Sequence, residues 1–362
     1  MKAVFKRMLA LIFALALFSL PLTVAAEQTN KPTLSAQSAI LYEAHSDTVL
    51  WERNAHAPMP MASTTKIMTA LAALDALDPD EYFPFPAEAV GVEGSSAYLT
   101  AGEILSVKDM LYALLLQSAN DVATALAILS DGSVEAFAER MNALAKDFGC
   151  ESTHFENPHG LHSENHYTTA ADLAIIAKKL LENELLAAIV KTKVYTAKTS
   201  TLRRTFVNHN KLLSFDKDAV GVKTGFTKSS GRCLVGAAEK NGMLLISVTL
   251  NAPSDWSDHA QLWKYVSDRY EYKCILKEHQ YYGNLSVVGS IYPFVSVTNK
   301  EKIELLVKKS SADIEMHTEA LPLLALPIKK GQVLGRLVLT QNGKEIRSLD
   351  LVATHDVYPH NI

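Results

Sequence analysis

Cysteine is scarce in this chain. Only Cys150, Cys233 and Cys274 occur in 362 residues, far apart and odd in number. At most one pair can bond, so the fold does not rest on a disulfide framework, and none of the three has zinc-ligand spacing. Twelve histidines are present but no HExxH or HxxEH pattern; the densest group, His159-Gly160-Leu161-His162 with His166, lies in a polar loop and reads as solvated connection. Neither a metal nor a cofactor is expected. A basic excess is also missing: 35 Lys and Arg stand against 39 Asp and Glu, for a net charge of −4. This gives no reason to expect nucleic acid or an anionic membrane as partner. Internal repeats and low-complexity tracts are absent, and beyond Leu20 no run is apolar enough to span a bilayer, which takes roughly 20 residues. What remains is 48% hydrophobic and 20% charged, an ordinary globular composition for two or three domains.

The N-terminus has its own texture. Lys2, Lys6 and Arg7 precede an apolar run from Met8 to Leu20, then Pro21 and the small-residue exit Val24-Ala25-Ala26. This pattern predicts a secretory leader over residues 1–26, cleaved before Glu27, and an exported, extracytoplasmic protein; an uncleaved anchor is the alternative. Losing its three cations takes the net charge from −4 to −7.

Further on, Ala39–Ala44 and Thr48–Arg53 read as strands about a His45-Ser46-Asp47 turn. Ile67, Ala70, Leu71, Leu74 and Leu77 fall at helical spacing after Ser63-Thr64-Thr65-Lys66. Phe83–Leu99, rich in proline, glycine and serine, reads as irregular or short-strand structure. Helices are predicted over Val107–Leu116, Val122–Leu129, Val134–Phe148, Ala170–Glu182 and Gln261–Tyr270, with Ser106 and Thr168/Thr169 as caps. A strand is expected at Ala219–Gly225, a hairpin at Cys233–Glu239 and Met243–Asn251, and an acidic connector at Asn251–His259. From about Cys274 seven short alternating runs (Leu285–Ser290, Phe294–Val297, Ile303–Val307, Ile314–His317, Leu323–Leu326, Val333–Thr340, Ile346–Val352) predict an all-β sandwich. The resulting division is 1–26 leader, 27–275 main domain and 276–362 β-sandwich.

Three short patterns carry chemistry. Ser63 with Lys66 one helical turn on is a serine beside a base: a serine hydroxyl needs a proton acceptor, and a lysine held neutral by burial or by a second cation can serve. Helix capping by Ser63 is the plainer reading of SxxK alone. Ser118-Ala119-Asn120 breaks two buried helices; its two polar side chains share a face if the link is extended, although Asn120 or Asp121 would also suit a cap. Lys223-Thr224-Gly225 on a strand offers a second cation, a hydroxyl and an unobstructed backbone for a strand-like substrate bearing a carboxylate. Each pattern is weak alone, but the three in this order form the signature of class A β-lactamases and penicillin-binding proteins.

With the approach Pro58-Met59-Pro60-Met61-Ala62, the loop Asn157-Pro158-His159-Gly160-Leu161 and the tail from Ile328-Lys329-Lys330-Gly331 to Leu351-Val352, nearly all of the mature chain resembles the serine-type D-alanyl-D-alanine carboxypeptidases, the low-molecular-mass penicillin-binding proteins. The resemblance implies an α/β plus all-α catalytic domain of the penicillin-binding transpeptidase/β-lactamase type, followed by a small all-β sandwich. It implies that Ser63 attacks the carbonyl between two D-alanines of a peptidoglycan stem peptide, with Lys66 as base and Ser118 as proton relay. Asn120, Lys223, Thr224 and Gly225 would bind substrate, and the N–H groups of Ser63 and Phe226 would form the oxyanion hole. β-Lactam antibiotics would acylate the same serine. Neither nucleic acid nor a cofactor is implied, and membrane association would be peripheral at most.

Two departures stand out. The stretch Asn251–His259 lacks the family's carboxylate-binding arginine, for which Arg232 or His259 is a candidate replacement, and the last residues, Tyr358–Ile362, do not read as the amphipathic anchoring helix of several relatives, so release or loose association with the envelope is expected. The alternatives are a β-lactamase, with Glu156 or Glu164 as its deacylating base, and a catalytically idle wall-binding or penicillin-sensing protein. The β-sandwich, without a catalytic pattern, is expected to act as spacer or docking surface, so that deletion of 282–362 spares peptide hydrolysis.

Overall fold

The computed structural model describes residues 31–321 and 324–360; the expected leader lies outside the described residues. The first hairpin forms as predicted, β1 (Ser38–Glu43) with β2 (Thr48–Arg53). A 3₁₀ turn at Ala62–Thr65 then runs into α1 (Lys66–Ala76). The proline- and glycine-rich region contributes only β3 (Tyr82–Pro84), which pairs with β4 (Ile104–Ser106). Ser106 caps α2 (Val107–Tyr112) by accepting from the Asp109 amide, and α2 continues through a π-helical turn, Ala113–Gln117. After α3 (Asn120–Asp131) and α4 (Val134–Asp147) comes the long polar loop, then α5 (Ala170–Glu182), capped by Thr169. Not anticipated are α6 (Glu184–Lys191), capped by Asn183, and β5 (Val194–Lys198); β5 pairs with β6 (Arg203–Val207), which falls in a stretch that reads as a short strand or loop piece. The short α7 (Leu212–Phe215) precedes β7 (Ala219–Thr227), β8 (Gly231–Lys240), β9 (Met243–Leu250) and α8 (Asp255–Arg269).

Helix α8 begins six residues before the expected Gln261, inside the stretch read as a connector. Asp255 and Asp258 occupy its first turn, where carboxylates face the positive end of the helix dipole. Acidity taken as a loop signal is thus a helix-start signal.

The main sheet is antiparallel in the order β2-β1-β9-β8-β7, which leaves β7 at an edge. Alternate residues of its strands enter two different cores. Ile40, Val235, Ile246 and Val248 pack into the larger one with α5 and α6, whereas Leu41, Leu234 and Leu245 pack against Leu262, Trp263 and Val266 of α8. Burial on both faces explains strands that read as continuous apolar runs in spite of antiparallel pairing. Helix α1 lies inside the larger core among α3, α4 and α5, so residues 66–70, 72 and 73 are all buried, around most of its circumference.

Beyond α8 the chain enters β10 (Tyr270–Leu276), which pairs with β13 (Ile303–Lys308); β11 (Tyr281–Ser286), β12 (Phe294–Thr298), β14 (Glu315–Ala320), β15 (Val333–Gln341) and β16 (Lys344–Ala353) form a five-stranded sheet in the order β11-β12-β16-β15-β14. Leu276, Val295, Val297, Ile303, Leu337 and Leu351 fill the space between the two sheets. The fifth expected run, Leu323–Leu326, is not a strand: Leu324–Leu326 is irregular and Leu323 is outside the described residues. Tyr272 donates its hydroxyl to the buried Glu43 carboxylate at 2.7 Å, and Leu306 packs onto the core under α8. Deleting 282–362 would therefore remove β13 from β10 and expose that seam, which the expectation of a clean truncation did not foresee.

Candidate active site

The structure brings the three sequence patterns to one place, at the edge formed by β7. Ser63 lies in the 3₁₀ turn, and Lys66 opens α1 behind it with its side chain wholly buried. Neither end of this turn has a side-chain cap: Thr64 and Thr65 donate their hydroxyls to the Met61 and Ala62 carbonyls, and the Ser63 hydroxyl is left for Lys66. Lys66 Nζ is 3.1 Å from Ser63 Oγ, 2.6 Å from Asn120 Oδ1 and 2.6 Å from the His159 carbonyl oxygen.

Ser118 and Asn120 converge for a reason other than an extended link. Ser118 sits at φ +61°, ψ +34° after the π-helical turn, and Asn120 already belongs to the first turn of α3. Such a backbone state costs a β-carbon-bearing residue about 1–2 kcal/mol, which the surrounding packing must offset. The Asn120 amide donates to the Ser95 carbonyl at 2.7 Å, and Asn120 Nδ2 donates to the Glu93 carbonyl. Neither Asn120 nor Asp121 caps α3; Asp121 instead accepts from the Ala97 amide and the Ser96 hydroxyl, which holds the loop that roofs the site.

Lys223 lies on β7, buried, with Nζ donating to the Thr224 carbonyl at 3.1 Å. Gly225 is where β7 meets the serine turn: a β-carbon there would lie 3.1 Å from the backbone nitrogens of Ser63 and Thr64 and from the Met61 carbonyl oxygen. A cavity of about 360 Å³ opens in front, lined by Ser63, Ser118, Thr224, Gly225 and Phe226 among others. Lys66, Asn120 and Lys223 stand behind this lining.

Burial drives the electrostatics. Lys66 is held well below the ordinary lysine range, first by loss of hydration and then by the nearby Lys223 cation, against the opposing pull of Asp121. Burial alone lowers Lys223 to about 7. The mutual proximity of two such amines is what the geometry adds to the sequence pattern.

The sequence reading missed the part played by the polar loop. Its contribution is a backbone oxygen, that of His159, held in place by Asn157, which accepts from the Gly160 amide and donates to the Leu161 carbonyl. Thr69 donates to the preceding Pro158 carbonyl. Gly160 adopts φ +86°, and a β-carbon there would lie 2.0 Å from the Ala62 carbonyl oxygen. Gly160→Ala is therefore expected to cost on the order of 3 kcal/mol or to displace the His159 carbonyl from Lys66. Thermal melting together with the acylation rate measures this, and an unchanged variant on both counts would contradict it.

The histidines of this loop have structural work. His166 Nδ1 accepts a hydrogen bond from the Glu156 amide, at 3.0 Å, and so Nε2–H is presented to Thr65 Oγ1 at 2.8 Å; burial lowers the imidazole to about 4. No group of three or more potential metal-ligating side chains occurs among the described residues. Glu156 bonds Ser163 and Asn165 within its own loop, and neither it nor Glu164 lines the cavity. His259 also fails as a site residue: it is buried under the sheet between Ser247 and Thr249, and burial lowers it to about 3. Arg232, by contrast, does line the cavity, as do Asp255 and Trp256, for which the sequence reading had given no role. Ser254 followed by acidic residues was the available signal for a helix start there.

Comparison with known proteins agrees with this geometry. The model of the D-alanyl-D-alanine carboxypeptidase family matches residues 25–254, and that of the penicillin-binding protein 5 C-terminal domain matches residues 270–359. The chain is 33% identical to D-alanyl-D-alanine carboxypeptidase DacF of Bacillus subtilis, across 97% of this chain and 95% of the relative. Identity to DacC of Escherichia coli is 32%, across 93% and 88%. Among solved structures, penicillin-binding protein 5 of Haemophilus influenzae superposes with a TM-score of 0.71 at 27% identity, covering 91% of this chain and 99% of that one. Among the described residues no helix is long and apolar enough to cross a membrane. With the family model matching well over half the sequence and Ser63 lining a cavity with Lys66 buried behind it, this chain belongs to the D-alanyl-D-alanine carboxypeptidase family of serine peptidases.

Proposed function

We propose that the chain removes the terminal D-alanine from peptidoglycan stem peptides through an acyl-enzyme on Ser63, and that β-lactams acylate the same serine. The observation that carries this is the coordination of Lys66. A neutral amine has two N–H bonds and one lone pair. Two acceptors, Asn120 Oδ1 and the His159 carbonyl oxygen, each lie 2.6 Å from Nζ and take the two N–H bonds, which leaves the lone pair for the Ser63 hydroxyl at 3.1 Å. Lys66 then accepts the serine proton as Oγ attacks the carbonyl carbon. The oxyanion forms against the backbone N–H groups of Ser63 and Phe226. Ser118 passes a proton to the departing D-alanine nitrogen, Asn120 holds the substrate amide, and Thr224 with Gly225 receives the strand-like peptide along the free edge of β7. Water, activated in turn, releases the shortened peptide. The leader pattern at residues 1–26 supports action outside the cytoplasm, where peptidoglycan is found.

Intact mass after incubation with benzylpenicillin, together with release of D-alanine from diacetyl-Lys-D-Ala-D-Ala, tests this reading. A one-drug mass increase and free D-alanine are expected. A folded protein that gives neither would sink it.

The lysine pair makes a second, signed prediction. Lys66 must be neutral to act, so kcat/KM rises with pH through its depressed pKa. Lys223→Gln removes a cation that lowers that pKa, so Lys66 keeps its proton to higher pH and the acid limb moves upward. An acid limb that stays in place in Lys223→Gln would rule out this coupling.

A further inference from the structure

The geometry points to Arg232 as the group that binds the C-terminal carboxylate of the substrate and so restricts this site to chain ends. The inference rests on the serine-peptidase reading of the cavity. A residue leaving as a free amino acid carries a carboxylate one residue beyond the carbonyl that Ser63 attacks, about 3.3 Å further along an extended chain. Arg232 stands at the corresponding place on the protein. On β8 it is paired directly with Phe226, the residue that follows Lys223-Thr224-Gly225 on the edge strand. Side chains of directly opposed strand residues project to the same face, and both of these are open to solvent, Phe226 at 64% and the Arg232 side chain at 40%.

Its guanidinium is fixed in advance. Arg232 Nη2 is 2.9 Å from Oδ2 of Asp255, which is 2% exposed, and its Cζ lies 5.5 Å from the centre of the Trp256 ring. Both residues come from the first turn of α8, and the Ala252 amide, which leads into it, donates to the Arg232 carbonyl. The ion pair engages one terminal nitrogen. The guanidinium's other N–H groups remain for a second carboxylate, in the planar fork geometry that suits a bidentate pair. Asp255 offsets the charge of Arg232, but Lys211 lines the same cavity, so the pocket still favours an anion. A peptide that continued past this point would bring an uncharged amide to a guanidinium, and lose the charged pair.

The test uses two thioesters with the same N-acyl-D-alanyl group, one leaving as thioglycolate, which bears a carboxylate, and one as ethanethiol, which does not. The activated acyl group allows both to be turned over. In the parent protein kcat/KM should favour the carboxylate-bearing thioester, and Arg232→Gln should reduce that preference by about 30-fold, the usual worth of a charge-assisted hydrogen bond. Arg232→Lys, which keeps charge but loses the fork, should recover part of it. Equal loss on both thioesters would show a merely structural residue, and an unchanged ratio would show that Arg232 does not read the carboxylate; either overturns the inference. Failure of the parent protein to form any benzylpenicillin adduct or to release D-alanine would instead overturn the serine-peptidase reading, and this assignment with it.

Discussion

Ser63→Ala is expected to eliminate the benzylpenicillin adduct altogether and to lower D-alanine release by about 10⁴-fold or more, as removal of a covalent nucleophile does in serine hydrolases generally. The reason is local. The Ser63 hydroxyl is the only one in its turn that is not donated to a preceding carbonyl, since Thr64 and Thr65 are bonded to Met61 and Ala62. No neighbouring hydroxyl in that turn can replace it at 3.1 Å from Lys66 Nζ. Alanine at this partly exposed position removes one oxygen and leaves the 3₁₀ turn intact, so the melting temperature should hold within a few degrees. Mass spectrometry of the drug-treated variant and a D-alanine assay decide the matter. A persistent adduct in Ser63→Ala would place the nucleophile elsewhere.

Lys66→Met should slow acylation by about 10³-fold or more while leaving Ser63 in place, the magnitude expected from loss of a general base. Here stability and activity are expected to part company. A buried lysine is costly because folding strips its hydration, and the depressed pKa of Lys66 records that cost. Methionine of similar length removes the cost but orphans Asn120 Oδ1 and the His159 carbonyl oxygen, each lost hydrogen bond worth about 1–3 kcal/mol when buried. These effects oppose one another, so the variant should remain folded. Stopped-flow acylation beside thermal melting separates the two quantities. Near-parental acylation in a folded Lys66→Met would require another proton acceptor for Ser63.

Local patterns were legible where a short stretch of chain decides its own structure. The hairpin about Asp47, the caps at Ser106 and Thr169, and the edges of α4 and α5 follow from turn chemistry and helical periodicity, which act over a few residues. Asn251–His259 misled because acidic residues suit both a loop and the first turn of a helix; only the packing of Leu262, Trp263 and Val266 against the sheet favours the helix. His159 misled in another way. Its side chain drew attention, whereas the backbone oxygen is what contacts Lys66, and no residue type announces the position of its carbonyl.

The sequence by itself determined the chemistry available: a serine three residues before a lysine, a second lysine on a strand, a family pattern across nearly the whole mature chain, and the absence of metal-ligand spacing. Tertiary structure decided what that chemistry is able to do. Lys66 is depressed because helix α1 is buried on most sides and Lys223 arrives from a strand more than 150 residues away. Gly160 and Gly225 are required because other backbone passes within 3.1 Å of where a side chain would begin. Arg232 is held at the cavity because α8 brings Asp255 and Trp256 to it. Propensity and capping are settled between near neighbours in the chain, but proton affinity, close backbone approach and the shape of a cavity depend on which distant segments exclude water together.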